Sequence, residues 1–205
     1  MRSSSKKFKN LIIVIDRSSE HPKTRGKKTK QKTRAFTIIA VLGIWDSESG
    51  KVKDIVYKKL RLKHGKKYRT NEKAAKMEKL KRALSGDPQL PLKKHISFLK
   101  IYTIDVIGRI HENHLPPGLF HDAQTWVEDC KFALGDKDII QILRQKYPTL
   151  RIIDEKESTT TFKQQAHLML LVDNIAYFAR MARINHDWEF LRTLNINNLD
   201  KNEED

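Results

Sequence analysis

The sequence predicts an α/β protein: a mixed sheet flanked by helices, opening with a three-strand antiparallel meander and adding short parallel strands later. Three observations carry that prediction. Five consecutive apolar residues, LIIVI at 11–15, are rich in β-branched side chains and bounded by polar ones, the pattern of a buried strand. Two further stretches of strand character follow at 34–46 and 51–64, with only loop and turn residues between them. Beyond residue 70, helical periodicity alternates with short apolar runs.

The first strand ends on Asp16. Residues 17–34, RSSEHPKTRGKKTKQKTR, hold eight basic residues against one acid, with Pro22 and Gly26 as breakers, and read as a cationic loop. RAFTIIAVLGIWD at 34–46 gives the second strand, and after the turn DSESG the alternation in KVKDIVYKKLRLKH gives a half-exposed third. Residues 58–82 carry twelve basic residues and two acids. From Thr70, the expected N-cap, TNEKAAKMEKLKRAL forms an amphipathic basic helix that Gly86, Pro88 and Pro91 bring to an end.

At 95–113 apolar residues recur at threes and fours (Ile96, Leu99, Tyr102, Val106, Ile110), which predicts a core helix stopped by Pro116 and Pro117. A short strand over 119–121 then ends at Asp122, a helix covers 136–147, a strand covers 150–154, and a long helix spans 162–184. The chain reads as one domain over 1–190, with 17–34 and 58–94 as basic insertions and 191–205 as a polar tail.

Composition narrows the partners. Forty-one Lys and Arg against 25 Asp and Glu leave a formal charge of +16, far beyond the needs of solubility, and point to a polyanion, nucleic acid first. The single cysteine, Cys130, excludes an intrachain disulfide and a cysteine-built zinc site. No apolar run reaches membrane-spanning length and MRSSSKKFKN lacks a secretion signal, so a cytoplasmic protein without a membrane partner is expected. A Gly-rich phosphate loop, a G-x-S-x-G elbow and HExxH are all missing, which leaves nucleotide, serine and zincin hydrolysis without local support.

Three acids interrupt apolar surroundings: Asp16 after LIIVI, Asp122 in LFHD, and Asp173 inside MLLVDNIAYF. A carboxylate in such a setting is costly without a counter-charge, which a metal ion or a basic side chain such as Arg180 or Arg183 would supply. Mg2+ and Mn2+ take oxygen ligands, and phosphodiester cleavage draws on ions that activate water and stabilise the leaving oxygen, two of them about 4 Å apart in the usual arrangement. Glu20, Asp154 and Glu155 are candidates for a fourth acid, and His121 and His167 stand near two of the first three in sequence. Trp45, Tyr57, Tyr68 and Trp126 lie near basic residues where bases stack, although most aromatics are core.

These features together resemble the ribonuclease H-like superfamily of nucleases and recombinases. The likeness lies in LIIVID on the first strand, the meander that follows it, an acid after a fourth strand at LFHD, and an acid on the C-terminal helix at LLVDNIA. It implies a ribonuclease H-like fold and a metal-dependent nuclease. Asp16, Asp122 and Asp173 would be its catalytic and metal-binding residues for Mg2+ or Mn2+. The long basic stretches at 17–34 and 58–94 exceed what the plain fold requires. Lys23, Arg25, Lys27, Lys28, Lys30 and Lys32, helped by Lys66, Lys67 and Arg69, would hold the phosphates of DNA or RNA. The rival expectation is a non-catalytic nucleic-acid-binding protein of the same fold, with a protein-interaction module for an acidic partner as the third reading.

Overall fold

The computed structural model of the chain describes residues 10–21, 35–153 and 159–197. Its centre is an open, five-stranded mixed sheet. Strand β1 (Leu11–Glu20) and strand β2 (Phe36–Trp45) form an antiparallel pair with Leu11 opposite Trp45 and Glu20 opposite Phe36. Strand β3 (Phe98–Ile104) lies antiparallel on the far side of β2, β4 (Cys130–Gly135) runs parallel to β1 on its other side, and β5 (Ile196–Asn197) closes the edge beside β3. The order is β4-β1-β2-β3-β5. A single parallel bridge, Ile152 to Ala133, continues the sheet past β4.

Helices cover both faces. Over one lies α6 (Ala166–Ile184), whose Leu171, Val172, Ile175, Ala176 and Ala179 pack with Ile12 and Val14 of β1 and Ala40 and Leu42 of β2. Over the other lie α3 (Pro117–Trp126) and α4 (Lys137–Lys146), whose Leu119, Ala123, Ile139 and Leu143 meet Leu11, Ile13, Ile15, Ile39 and Val41. Because β1 is covered on both faces it reads as an unbroken apolar run instead of an alternation. The remaining helices are α1 (Ser49–Asp54), α2 (Thr70–Ser85), α5 (Thr159–Gln164) and α7 (Trp188–Thr193). Among the described residues, no helix is long and apolar enough to cross a membrane.

The first strand does not end on Asp16 but runs on to Glu20, taking in the first four residues of the expected cationic loop because they pair with β2. Four further expected elements differ. The segment expected as a third strand, 51–64, is helical: α1 continues as a π-helical turn, Ile55–Leu60. Its buried residues Val52, Ile55, Val56 and Leu60 recur at threes and fours, and that period prevails over the partial alternation. The third strand is instead β3, within the stretch expected as a helix. There Ile101, Tyr102, Thr103 and Ile104 supply β propensity and pair with β2, and the apolar spacing only mimics a helix. The stretch expected as a strand ending at Asp122 is α3, started by Pro117 in the first helical turn, where its fixed φ and missing N–H are no handicap. The fourth strand is β4, and the strand expected at 150–154 amounts to the Ile152 bridge. The basic helix forms as α2, with Arg69 in the N-cap position instead of Thr70.

Candidate functional site

Past Gly135, β4 stops while β1 runs on, so the second half of β1 keeps only β2 as a neighbour and one edge lies open. Asp16 sits at the start of that open stretch, on the same face as Ile12 and Val14 and thus facing α6. Gly135 makes the junction possible. Its φ is +131°, and a Cβ there would fall 1.8 Å from the carbonyl oxygen of Ile15, so only glycine lets the backbones approach this closely. Immediately after it, the Asp136 amide donates to the Ile15 carbonyl at 2.8 Å, which fixes Asp136 beside Asp16.

Asp136 is the N-cap of α4 and accepts from the Ile139 amide at 3.2 Å. Its carboxylate also pairs with Arg17, Nε to Oδ2 at 2.8 Å. The same guanidinium reaches Asp138 at 3.2 Å and the Gly108 carbonyl at 2.9 Å. Asp16 accepts from the backbone amide of Arg17 at 2.8 Å. Burial pushes the Asp16 carboxyl up to about 7; the Arg17 amide bond opposes this, and the charges of Asp173 and Asp136 add to it. Asp136 is likewise raised by burial, against the pull of Arg17.

The third member comes from α6. Asp173 Oδ2 accepts the Gly65 amide at 3.0 Å and stands 3.3 Å from His64 Nδ1. A Cβ on Gly65 would meet the Tyr177 ring at 2.5 Å, so this contact also depends on glycine. The neighbouring Asn174, fully buried, donates to the carbonyls of Lys63 at 3.0 Å and Leu170 at 2.8 Å and accepts from the Tyr68 hydroxyl at 3.0 Å. Asp173 and Asn174 together therefore clamp residues 63–68 onto α6 and bring a basic segment to the carboxylates. Arg180 and Arg183, the sequence candidates for a counter-charge to Asp173, are engaged elsewhere: Arg180 with Glu20 and Ser18, Arg183 with Thr103 and the face of Phe36.

The structure thus brings Asp16 and Asp173 within electrostatic reach of one another and joins Asp136 to them. It does not bring Asp122 there. Asp122 lies on α3, on the opposite face of the sheet, and accepts from the Tyr102 hydroxyl. Asp136 bears the signature that singled out Asp16, an apolar strand ending on an acid, in CKFALGD. That run is shorter and closes on Gly-Asp, so it read as the start of a helix.

Lys23, Arg25, Lys27, Lys28, Lys30 and Lys32 lie outside the described residues, as do Asp154 and Glu155. In sequence the six cations fall between Glu20, the last residue of β1, and Phe36, the first of β2. Lys66 and Lys67 fall in the 3-10 turn Gly65–Lys67, and Lys67 and Arg69 are exposed. The lysines of α2 are differently employed: Lys76 donates to the carbonyls of Leu60 and Arg61 at 2.9 and 3.3 Å, and Lys79 to that of Lys59 at 2.6 Å. They close the C-terminus of the preceding helix. His167 is buried against Ser49, with its pKa lowered by burial, and His121 is exposed.

An all-carboxylate donor set is the kind that Mg2+ and Mn2+ accept, and the mutual repulsion that helps raise Asp16 is what a divalent cation would relieve. Among the described residues, however, no three His, Cys, Asp or Glu side chains are gathered closely enough to hold one metal ion. Asp136 is turned to Arg17 instead. Compared with known proteins, the chain matches no protein-family model and no curated protein.

Proposed function

We propose that the protein is a metal-dependent nuclease of ribonuclease H-like fold that hydrolyses phosphodiester bonds of DNA or RNA, with Asp16, Asp136 and Asp173 as its acids. The observation that carries this reading is the placement of the acids: Asp136 follows β4 directly with its amide on the Ile15 carbonyl next to Asp16, and Asp173 lies on α6, the helix over the face that Asp16 shares with Ile12 and Val14. In sequence the resemblance rests on LFHD and Asp122; the elements that support it here are the meander β1-β2-β3, β4 parallel to β1 with Asp136 directly after it, and Asp173 on the late helix α6, so Asp136 takes the part expected of Asp122. A bound Mg2+ or Mn2+ would polarise the phosphodiester and lower the pKa of water.

The chain's own groups prepare the site. The Arg17 amide orients Asp16, the Gly65 amide orients Asp173, and the Ile139 amide orients Asp136. Lys67 and Arg69, at the clamped segment, and the cationic stretch of residues 22–34 would hold the phosphate backbone. The test is cleavage of single-stranded and duplex DNA and RNA with and without Mn2+, repeated with Asp16→Asn and Asp173→Asn. Metal-dependent cutting that both substitutions abolish is expected; cutting unchanged in both contradicts the assignment.

A second reading, a nucleic-acid-binding protein without catalysis, draws on the Arg17–Asp136 pair, since an acid matched to an arginine can serve structure alone. It predicts salt-sensitive binding and no cleavage with Mn2+.

A further inference from the structure

Among the described residues two large aromatic side chains stand well out in solvent, Tyr57 at 44% and Trp188 at 52% exposed. Their surroundings differ in charge. Trp188 lies between Asp187 and Glu189, whereas Tyr57 lies on the basic segment formed by α1 and the π-helical turn after it. Residues 51–63 carry six cations. Four are engaged: Lys51 with Glu48 at 2.9 Å, Lys58 with Asp54 at 3.0 Å, Lys63 with Glu72 at 2.9 Å, and Lys59 with the Gln89 carbonyl at 3.1 Å. The Lys53 ammonium and the Arg61 guanidinium have no hydrogen-bond or ion-pair partner among the described residues. These two stand four positions before and four after Tyr57, the spacing that sets helical side chains on one face, and all three are exposed. The tyrosine is also held from beneath. Its ring leans on that of His167, with centroids 6.5 Å apart, and His167 is itself buried, its Nε2 donating to the Ser49 carbonyl at 3.0 Å.

We propose that Lys53, Tyr57 and Arg61 form a binding site for single-stranded nucleic acid: an unpaired base stacks on the Tyr57 ring, and the phosphates on either side of it meet Lys53 and Arg61. The site depends on the nucleic-acid partner proposed above, and on neither its acids nor catalysis. A ring accepts any base, because every base has a π-face, but only a base not already stacked within a duplex, so the row selects single strands. The two unpaired cations add the phosphate attraction that a bare aromatic lacks, and they favour a polyanion over an apolar protein surface. The other aromatics near basic residues in sequence do not qualify: Tyr68 and Trp126 are buried, and Trp45 packs against the core beneath α3 and α4. Beyond Arg61 the chain runs directly into residues 63–68, the segment clamped onto α6 at Asp173 and Asn174.

Fluorescence anisotropy on the full chain tests this with three labelled probes: a single-stranded oligodeoxynucleotide, a strand of the same length made of abasic sugar-phosphate, and a duplex of the same length. Tyr57→Ala should weaken binding of the single strand by about tenfold and leave the abasic strand and the duplex unchanged, and Tyr57→Phe should restore the loss. Lys53→Gln and Arg61→Gln should weaken the single strand and the abasic strand alike, each lowering the log–log salt slope by about 0.7. Single-strand binding unchanged in Tyr57→Ala, or weakened equally for all three probes as a structural tyrosine would give, overturns the proposal while leaving the nucleic-acid reading intact. A salt slope unmoved in both glutamine variants overturns it as well. Failure of the wild type to bind any of the probes, the result expected of a tyrosine that docks a protein, overturns both.

Discussion

Asp16 titrates near pH 7 in the folded chain against an ordinary value of 3.8, because burial, with Asp173 and Asp136 nearby, disfavours its charge. The folded state therefore holds this proton more tightly than the unfolded one. The resulting stabilisation is fully present below about pH 4 and is lost as pH rises toward about 7. In metal-free buffer at pH 8, Asp16→Asn should accordingly stabilise the protein by about 1–3 kcal/mol in urea denaturation while removing any metal-dependent activity. A variant less stable than the wild type under those conditions would show that Asp16 is held by a partner instead. Gly135→Ala should cost more than about 2 kcal/mol in the same assay, since the added methyl collides with the Ile15 carbonyl and φ is positive. At this scale the sequence disclosed Asp16 through the length of its apolar run, and Asp173 through its apolar neighbours. Asp136 stayed hidden because a Gly-Asp step reads as a turn and a helix cap; its second role depends on β4 lying beside β1, a pairing between distant segments.

The clamp between α6 and residues 63–68 is the element that joins acid to base. Asn174→Ala should destabilise by about 2–3 kcal/mol, because three hydrogen-bonding groups lose a buried partner, and should weaken nucleic-acid binding by freeing the segment. Within the basic region the lysines separate by task. Lys76→Gln should lower thermal stability with little effect on binding, as Lys76 closes the end of the helix before α2. Lys67→Glu and Arg69→Glu should leave stability almost unchanged and weaken binding, as measured by fluorescence anisotropy. Composition could not make this division, for a lysine on a carbonyl and a lysine on a phosphate contribute the same charge to a sequence. The strands at 11–15 and 34–46 were legible because burial on both faces writes itself as a continuous apolar run. Residues 51–64 and 95–113 exchanged identities because short apolar stretches satisfy both periods, and only their packing on α6 and β2 decides between them.

For the molecule as a whole, the mixed sheet divides the acids by face: Asp16 toward α6, Asp122 on α3 over the opposite face, and Asp136 at the open edge between. The net charge of +16 implies binding that weakens steeply with salt, and each charge removed at Lys67 or Arg69 should reduce the log–log salt slope by about 1. The choice of acids is the central claim, and it separates two substitutions of identical chemistry. Mn2+-dependent cleavage of labelled DNA and RNA should be compared for the wild type, Asp136→Asn and Asp122→Asn, the asparagine at 136 preserving the helix cap. Cleavage by the wild type and Asp122→Asn, with loss in Asp136→Asn, is the predicted result; cleavage that survives in Asp136→Asn, or none by the wild type, would contradict it.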